Sequence, residues 1–324
     1  MTFPVLLGLI FLLGGLVCAA VLPLIKRGAR LFNFTDNPAN DGLKIHNKPI
    51  PFLGGLAILV SIAAVALGST LAETFGVFGV LYASPTLWTV FLAGIVVWLF
   101  GLWDDLKWQV RSTPALLQKI VSQIVMATLA SVLLMSADAG VILSTSTLVG
   151  SLIGAVLLIT LINASNIIDG LDGLLAGLVA LSSLGFFVIF LHEQNALGMI
   201  IAALTGGAAL GFLLHNFPPA SIFLGDNGSY LFGFLVSVQM FFALKILSPL
   251  LILSLLLVVG LPLVNCIYII IRRTLKKQVP LLADRDHFYD ALHRRVGSIK
   301  KTLFILYGIQ AALVVCGLAL YRFL

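Results

Sequence analysis

The chain has 324 residues, 60% of them hydrophobic and only 10% charged, with a formal net charge of +6. So few charges cannot cover the surface of a soluble protein of this length, and no nucleic-acid partner is expected. What remains is a polytopic membrane protein.

Apolar runs of about 20 residues, the length that crosses a bilayer, fall near 3–25, 52–71, 86–103, 115–136, 146–163, 174–191, 197–214, 229–246, 248–271 and 303–323. They predict an all-α, polytopic integral membrane protein of about ten transmembrane helices, a single membrane-embedded unit over 1–324. The eighth and ninth runs are separated by little more than Leu247, with Pro249 beside it. The first run has no basic residues ahead of it and is followed by Lys26 and Arg27, so it reads as a retained helix, not a cleaved signal. Threading the runs alternately puts 17 of the 19 Lys and Arg on one side, with Lys245 and Arg322 opposite. By the positive-inside rule the basic side is cytoplasmic and both termini lie outside. Cys18, Cys266 and Cys316 are scattered through separate runs, without spacing for a metal site or a disulfide framework.

The same threading brings five carboxylates to the basic side: Asp104 and Asp105 in GLWDDLKW, Asp169 and Asp172 in NASNIIDGLDG, and Asp226 in FLGDNGS. An ionised group beside hydrocarbon costs about 2.5–3.5 kcal/mol on insertion scales, so acids kept there usually bind or transfer something. Asp104 and Asp105 end the third run. Adjacent carboxylates on a helix cannot face one point, so one is expected to meet metal or substrate and the other a structural partner. Lys107 and Arg111 follow them and suit phosphate, although they also serve the positive-inside rule.

Asn163, Asn166, Asp169 and Asp172 recur every third residue, which on a helix or tight helical turn sets them along one slowly drifting face. Gly170 and Gly173 follow the two acids and allow backbone N–H groups close to a phosphate. A capping Asp at a helix–turn junction explains the doubled Asn and doubled Asp-Gly less well. Gly225, Asp226, Asn227, Gly228 and Ser229 open the eighth run, where unpaired N–H groups and a positive dipole end suit a phosphoryl group. Asp226 there is a candidate metal ligand. An acid ahead of a helix is by itself an ordinary cap; its weight comes from the other motifs. Hard oxygen donors without His or Cys nearby favour magnesium, or manganese, over zinc.

KIHNKPIPFLGG, GLWDDLKW, NASNIIDGLDGLLAG and FLGDNGSYLFGF, in their places along the chain, resemble the polyprenyl-phosphate N-acetylhexosamine-1-phosphate transferases, glycosyltransferase family 4, and the likeness covers almost the whole chain. The resemblance implies a magnesium-dependent enzyme of the bacterial inner membrane with its active site on the cytoplasmic face. Such an enzyme moves a sugar phosphate from a UDP-N-acetylhexosamine to polyprenyl (undecaprenyl) phosphate and releases UMP; a homodimer is compatible with it. By position, Asp104 and Asp105 match the family's paired aspartates, the first a candidate for the lipid phosphate, and Asp105 shares the metal assignment with Asp226. Asn166, Asp169 and Asp172 match its Asn and DGLDG segment, and Asp226 its metal-binding Asp. Asn227 departs from the usual Thr or Ser. In DRDHFYDALHRR, His287 stands where some branches carry a His cluster, with His293 six residues on. That single-His form resembles the O-antigen-initiating branch more than the phospho-N-acetylmuramoyl-pentapeptide translocases.

The expected chemistry follows from charge. Two anionic phosphates must meet, so a divalent ion is needed to neutralise the diphosphate and stabilise the leaving nucleotide. Asp104, Asp105, Asp169 and Asp172 are the expected catalytic acids. Asn163, Asn166, Lys107, Arg111, Gly225, Asn227, Gly228, Arg285 and His287 are the expected substrate contacts. The alternative of another class is an ion-coupled secondary transporter, which places intramembrane acids near the bilayer midplane and not at one face. A CDP-alcohol phosphotransferase needs Ala-Arg soon after its first Asp-Gly, and here Leu171, Asp172, Gly173 and Leu174 follow Gly170.

Overall fold

The computed structural model describes residues 3–38, 48–74, 84–107, 113–136, 147–244, 248–277 and 287–323. These form α1 (Phe3–Leu31), β1 (Thr35–Asp36), β2 (Ile50–Pro51), α2 (Gly54–Thr74), α3 (Ser84–Lys107), α4 (Thr113–Ser136), α5 (Thr147–Ile168), α6 (Leu174–His192), α7 (Ala196–Asn216), α8 (Gly225–Ala243), α9 (Pro249–Val259), α10 (Leu261–Leu275), α11 (Phe288–Val296) and α12 (Ile299–Tyr321). The chain is all-α apart from the two-residue strands, which pair antiparallel with Thr35 opposite Pro51.

Eight helices, α1 to α7 and α12, are long and apolar enough to cross a bilayer, and the α9–α10 pair makes nine if it counts as one crossing. The sequence suggested ten. The difference has two physical sources. First, α8 is long enough but carries Asp226, Asn227, Ser229, Ser237 and Gln239, which lower its hydropathy below that of a lipid-facing span. It is the central helix, packed against α2, α3, α5, α6 and α7, and most of its residues are buried. Its polar groups therefore meet protein instead of lipid. Second, the ninth apolar run is broken at Gly260 and bent by 93°. With 11 residues, α9 rises only about 16 Å, roughly half of a hydrocarbon core.

A break in an apolar bundle leaves backbone groups that lipid cannot satisfy. Here Gln310 of α12 supplies the partners. Its Oε1 accepts from Leu261 N (2.9 Å), and its Nε2 donates to Val258 O (2.9 Å) and Val259 O (3.2 Å). The break is thus a built feature. Large apolar side chains such as Leu16, Leu24, Leu152, Leu214 and Phe304 face outward, as a lipid-solvated surface requires.

A short strap covers the start of α8. Phe223 N donates to Pro51 O (2.7 Å) and Gly54 N donates to Phe223 O (3.1 Å), so the segment between β2 and α2 is tied to the loop ahead of α8.

With α8 counted as a protein-buried crossing beside the eight helices and the α9–α10 pair, the chain crosses ten times, so with single cysteines introduced into an otherwise cysteine-free variant, positions 30 and 276 should be labelled only from the cytoplasm, and positions near both termini only from outside. A terminus labelled from the cytoplasm would show that the α9–α10 pair does not complete a crossing.

Candidate active site

The site forms where α3, α4, α5 and α8 meet, at the N-terminus of α8. Asp105, near the end of α3, reaches across to that helix. Its Oδ1 accepts from Asp226 N (2.8 Å), and its Oδ2 accepts from Asn227 N (3.0 Å) and Asn227 Nδ2 (2.7 Å). A carboxylate is a strong acceptor for the free N–H groups of a first helical turn. The approach needs Gly101: a Cβ there would lie 2.6 Å from Asn227 Cα and 2.7 Å from Asp226 O. Gly225 is equally constrained, with φ of 70° and space for a Cβ only 2.8 Å from Asp105 Oδ2.

Asp226 itself is held from two further helices. Asn166 Nδ2 donates to Asp226 Oδ1 (2.7 Å) and to Ser229 Oγ (3.0 Å). Lys119 of α4 lies between the acids, 2.7 Å from Asp104 Oδ2 and 3.7 Å from Asp226 Oδ2. Asp104 is buried and also accepts at Oδ2 from the Tyr230 hydroxyl.

Asp169 follows α5 in a tight turn, its N–H directed to Asn166 O (3.3 Å). Burial, and then the charges of Asp226, Asp172 and Asp105, push the Asp169 carboxyl up to about 8. Asp172 accepts from Ala220 N at Oδ2 (2.9 Å), which ties the DGLDG turn to the loop ahead of α8. The structure therefore brings Asp104, Asp105, Asp169, Asp172 and Asp226 to one end of the bundle.

Several residues take positions other than those expected from sequence. Asp105, offered to a metal and to catalysis, has three of its four lone-pair directions filled by the first turn of α8. Asn163 and Asn166, both within α5, turn to different partners: the Asn163 amide donates to Gln123 Oε1 (3.1 Å) and Ile159 O (2.8 Å). No amide hydrogen is left for a substrate. Asn227 is fully buried; besides holding Asp105, it donates to Phe52 O (2.8 Å) and accepts from Gly55 N (3.1 Å). Gly228 serves the same crossing, since a Cβ there would lie 2.9 Å from Gly55 N. Lys107 places its ammonium over the Trp103 ring, 5.3 Å from the centroid. His287 is buried and stacked on Tyr289 at 4.9 Å, and its Nδ1 is 3.4 Å from Asn265 Nδ2. Tyr289 in turn donates to Ile167 O (3.4 Å), which sets His287 beside the DGLDG turn. Arg111 and Arg285 lie outside the described residues.

Sequence reading missed Lys119, Tyr230 and Gln123. Lys119 was counted only as a positive-inside residue, yet it sits within the fourth apolar run, and a cation there is costly unless it has a partner. Tyr230 and Gln123 carried no separate signal.

Among the described residues, no three carboxylate, imidazole or thiolate groups converge into a ready-made metal site. The donor set still fits a hard divalent cation. Magnesium commonly takes one or two carboxylates together with substrate phosphates and water, and the charges of Asp226, Asp172 and Asp105, which add to burial in raising Asp169, would be offset by a cation among them.

The glycosyl transferase family 4 model matches residues 87–246, the stretch that holds all five acids. A probable undecaprenyl-phosphate N-acetylglucosaminyl 1-phosphate transferase of Bacillus subtilis is 28% identical over 92% of this chain and 80% of its own length. A decaprenyl-phosphate N-acetylglucosaminephosphotransferase of Mycolicibacterium smegmatis is 31% identical over 81% of this chain and 70% of its own. A phospho-N-acetylmuramoyl-pentapeptide-transferase of Bacillus velezensis is 29% identical over 76% of each chain.

Replacing Gly225 with Ala should destabilise the protein by about 1–3 kcal/mol, the cost of holding a non-glycine residue at positive φ, and so lower its unfolding temperature in detergent. Gly308→Ala, where a Cβ would meet nothing within 4 Å, is the control. Equal unfolding temperatures for the two variants would contradict the packing described for the α8 turn.

Proposed function

This chain belongs to the polyprenyl-phosphate N-acetylhexosamine-1-phosphate transferases, glycosyl transferase family 4, and on that premise we propose that it transfers N-acetylhexosamine 1-phosphate from a UDP-N-acetylhexosamine to polyprenyl phosphate. An oxygen of the lipid phosphate forms a bond to the β-phosphorus of the UDP-sugar. The bond from that phosphorus to the bridging oxygen breaks, and UMP leaves with the electron pair. The observation that carries the reading is the convergence of five carboxylates and Lys119 on the N-terminus of α8.

The roles divide by environment. Lys119, between Asp104 and Asp226, offsets the charge that two anionic substrates bring. Asp104 positions the acceptor phosphate or takes its proton. Asp226, with Asp169 or Asp172, would hold magnesium, which when bound neutralises diphosphate charge. Asp105 and Asn227 keep the turn in place. His287, beside the DGLDG turn, meets the nucleotide portion. Proton affinity fits this division: Asp169, raised to about 8, resists carrying a bare charge.

The names of two relatives specify N-acetylglucosamine, so UDP-N-acetylglucosamine is the first donor to test. The proposed product begins a cell-surface glycan such as O-antigen. The acid end of the bundle is proposed to face the cytoplasm of a bacterial inner membrane, where UDP-sugars are made.

Purified protein in detergent with UDP-N-acetylglucosamine, magnesium and undecaprenyl phosphate should release UMP in step with lipid-linked sugar. Asp104→Asn, Asp169→Asn and Asp172→Asn should each slow release by about two orders of magnitude or more, the scale of a lost acid–base or charge-positioning group. Donor binding should survive better in Asp104→Asn than in the other two. Absence of UMP across a panel of UDP-N-acetylhexosamines, with solute accumulating in sealed vesicles, would replace the transferase by a carrier.

A further inference from the structure

Asp104 is connected to more than Lys119. A line of hydrogen bonds runs through side chains of four helices, from the half-buried Asn163 of α5 to the buried Gln123 of α4, then to Tyr230 of α8 and Asp104 of α3. Asn163 Nδ2 donates to Gln123 Oε1 (3.1 Å), Gln123 Nε2 donates to the Tyr230 hydroxyl oxygen (2.8 Å), and that hydroxyl donates to Asp104 Oδ2. Tyr230 is 1% exposed and Gln123 6%, so water does not compete along this line.

The direction of the line is fixed at its far end. Asn163 Nδ2 also donates to Ile159 O (2.8 Å), and a backbone carbonyl can only accept. Turning the Asn163 amide over would set its oxygen against that carbonyl. With Asn163 fixed as donor, Gln123 must present its oxygen to Asn163 and its NH2 to Tyr230. The Tyr230 oxygen then accepts from Gln123, and its single hydrogen goes to Asp104. Every hydrogen in the line points toward Asp104.

The consequence falls on the two oxygens of that carboxylate. Oδ2 is filled by the Tyr230 hydroxyl and the Lys119 ammonium. Oδ1 is buried and has no hydrogen-bond partner among the described residues. A buried acceptor without a partner is costly, and it is the oxygen left for a group that the protein does not itself supply.

We propose that Asn163, Gln123 and Tyr230 form a one-way hydrogen-bond relay that positions Asp104, holding Oδ2 so that Oδ1, buried and without a partner among the described residues, is the oxygen left to meet the acceptor phosphate once that group enters. Tyr230 is thus a positioning residue, acting through Asp104 without touching substrate. The inference rests on the transferase reading for the identity of the acceptor, and on hydrogen-bond geometry alone for the relay. Asn163 serves the reaction from a distance in place of the substrate contact expected of it.

The test is Tyr230→Phe, which keeps the ring and removes only the hydroxyl, measured with Gln123→Met and both Tyr230→Phe and Asp104→Asn combined. Tyr230→Phe should lower kcat by about tenfold, the scale of one hydrogen bond, with KM for the UDP-sugar and its equilibrium binding unchanged. Gln123→Met should lower kcat by about threefold and add nothing to Tyr230→Phe. On an Asp104→Asn background, Tyr230→Phe should have no further effect, because the relay then ends on a changed group. Wild-type kcat in Tyr230→Phe, or an undiminished loss on the Asp104→Asn background, would overturn the relay while leaving the transferase reading intact. The carboxylate stretch of Asp104, isolated as the infrared difference between wild type and Asp104→Asn, reads the same bond without turnover. It should shift in Tyr230→Phe; an unshifted band would overturn the relay even in a protein that released no UMP.

Discussion

The bond between the Asp105 carboxylate and the first turn of α8 is the constraint on which the rest of the site depends. It joins residues 121 and 122 positions apart in sequence. Burying a carboxylate is costly unless it is hydrogen-bonded, and the free N–H groups of a helix N-terminus are costly unless they are capped. Each cost offsets the other when the two meet. The partnership also sets the crossing of α3 over α8, because the backbones approach only where Gly101 stands. With that crossing fixed, Asp104 and Asp226 are brought to the same Lys119 ammonium.

The surrounding polar network follows one rule: in an apolar bundle, polar groups survive by finding one another. Asn227 joins α8 to the strap at Phe52 and Gly55. Asp172 ties the turn after α5 to the loop before α8 through Ala220, and Gln310 satisfies the backbone where α9 gives way to α10. These contacts tie the helices around the acids to one another. Asp104 Oδ1, without a hydrogen-bond partner among the described residues, and Asp169, pushed up to about 8, mark where the fold accepts a local cost. Such costs belong where anionic substrates and a cation are expected.

The helical membrane class and the five acids were legible from the chain, because hydrophobic runs and stray carboxylates are local signals. Relations between helices were not. Asp105 and Asp104 are neighbours of identical chemistry, and only the crossing with α8 separates a brace from a carboxylate with one oxygen left without a partner among the described residues. Asn163 was grouped with Asn166 by a spacing of three, yet the two amides, both within α5, turn to different partners. The bend at Gly260 was hidden because apolar residues continue on both sides of it. Lys119 was legible in principle, as a cation inside an apolar run, but it was absorbed by the count of basic residues. Tyr230 reads as an ordinary aromatic of a buried helix until Gln123 and Asp104 are placed on either side of it.

We propose that the acids at the N-terminus of α8 hold a divalent cation together with a nucleotide diphosphate. Electron paramagnetic resonance of manganese with the purified protein and UDP-N-acetylglucosamine tests it most directly. The free-ion signal should be lost on adding wild-type protein and UDP-sugar, the bound ion should show coupling to phosphorus, and Asp226→Asn should restore the free-ion signal without unfolding the protein. Bound manganese that is indifferent to Asp226→Asn, or that shows no coupling to phosphorus, would contradict it.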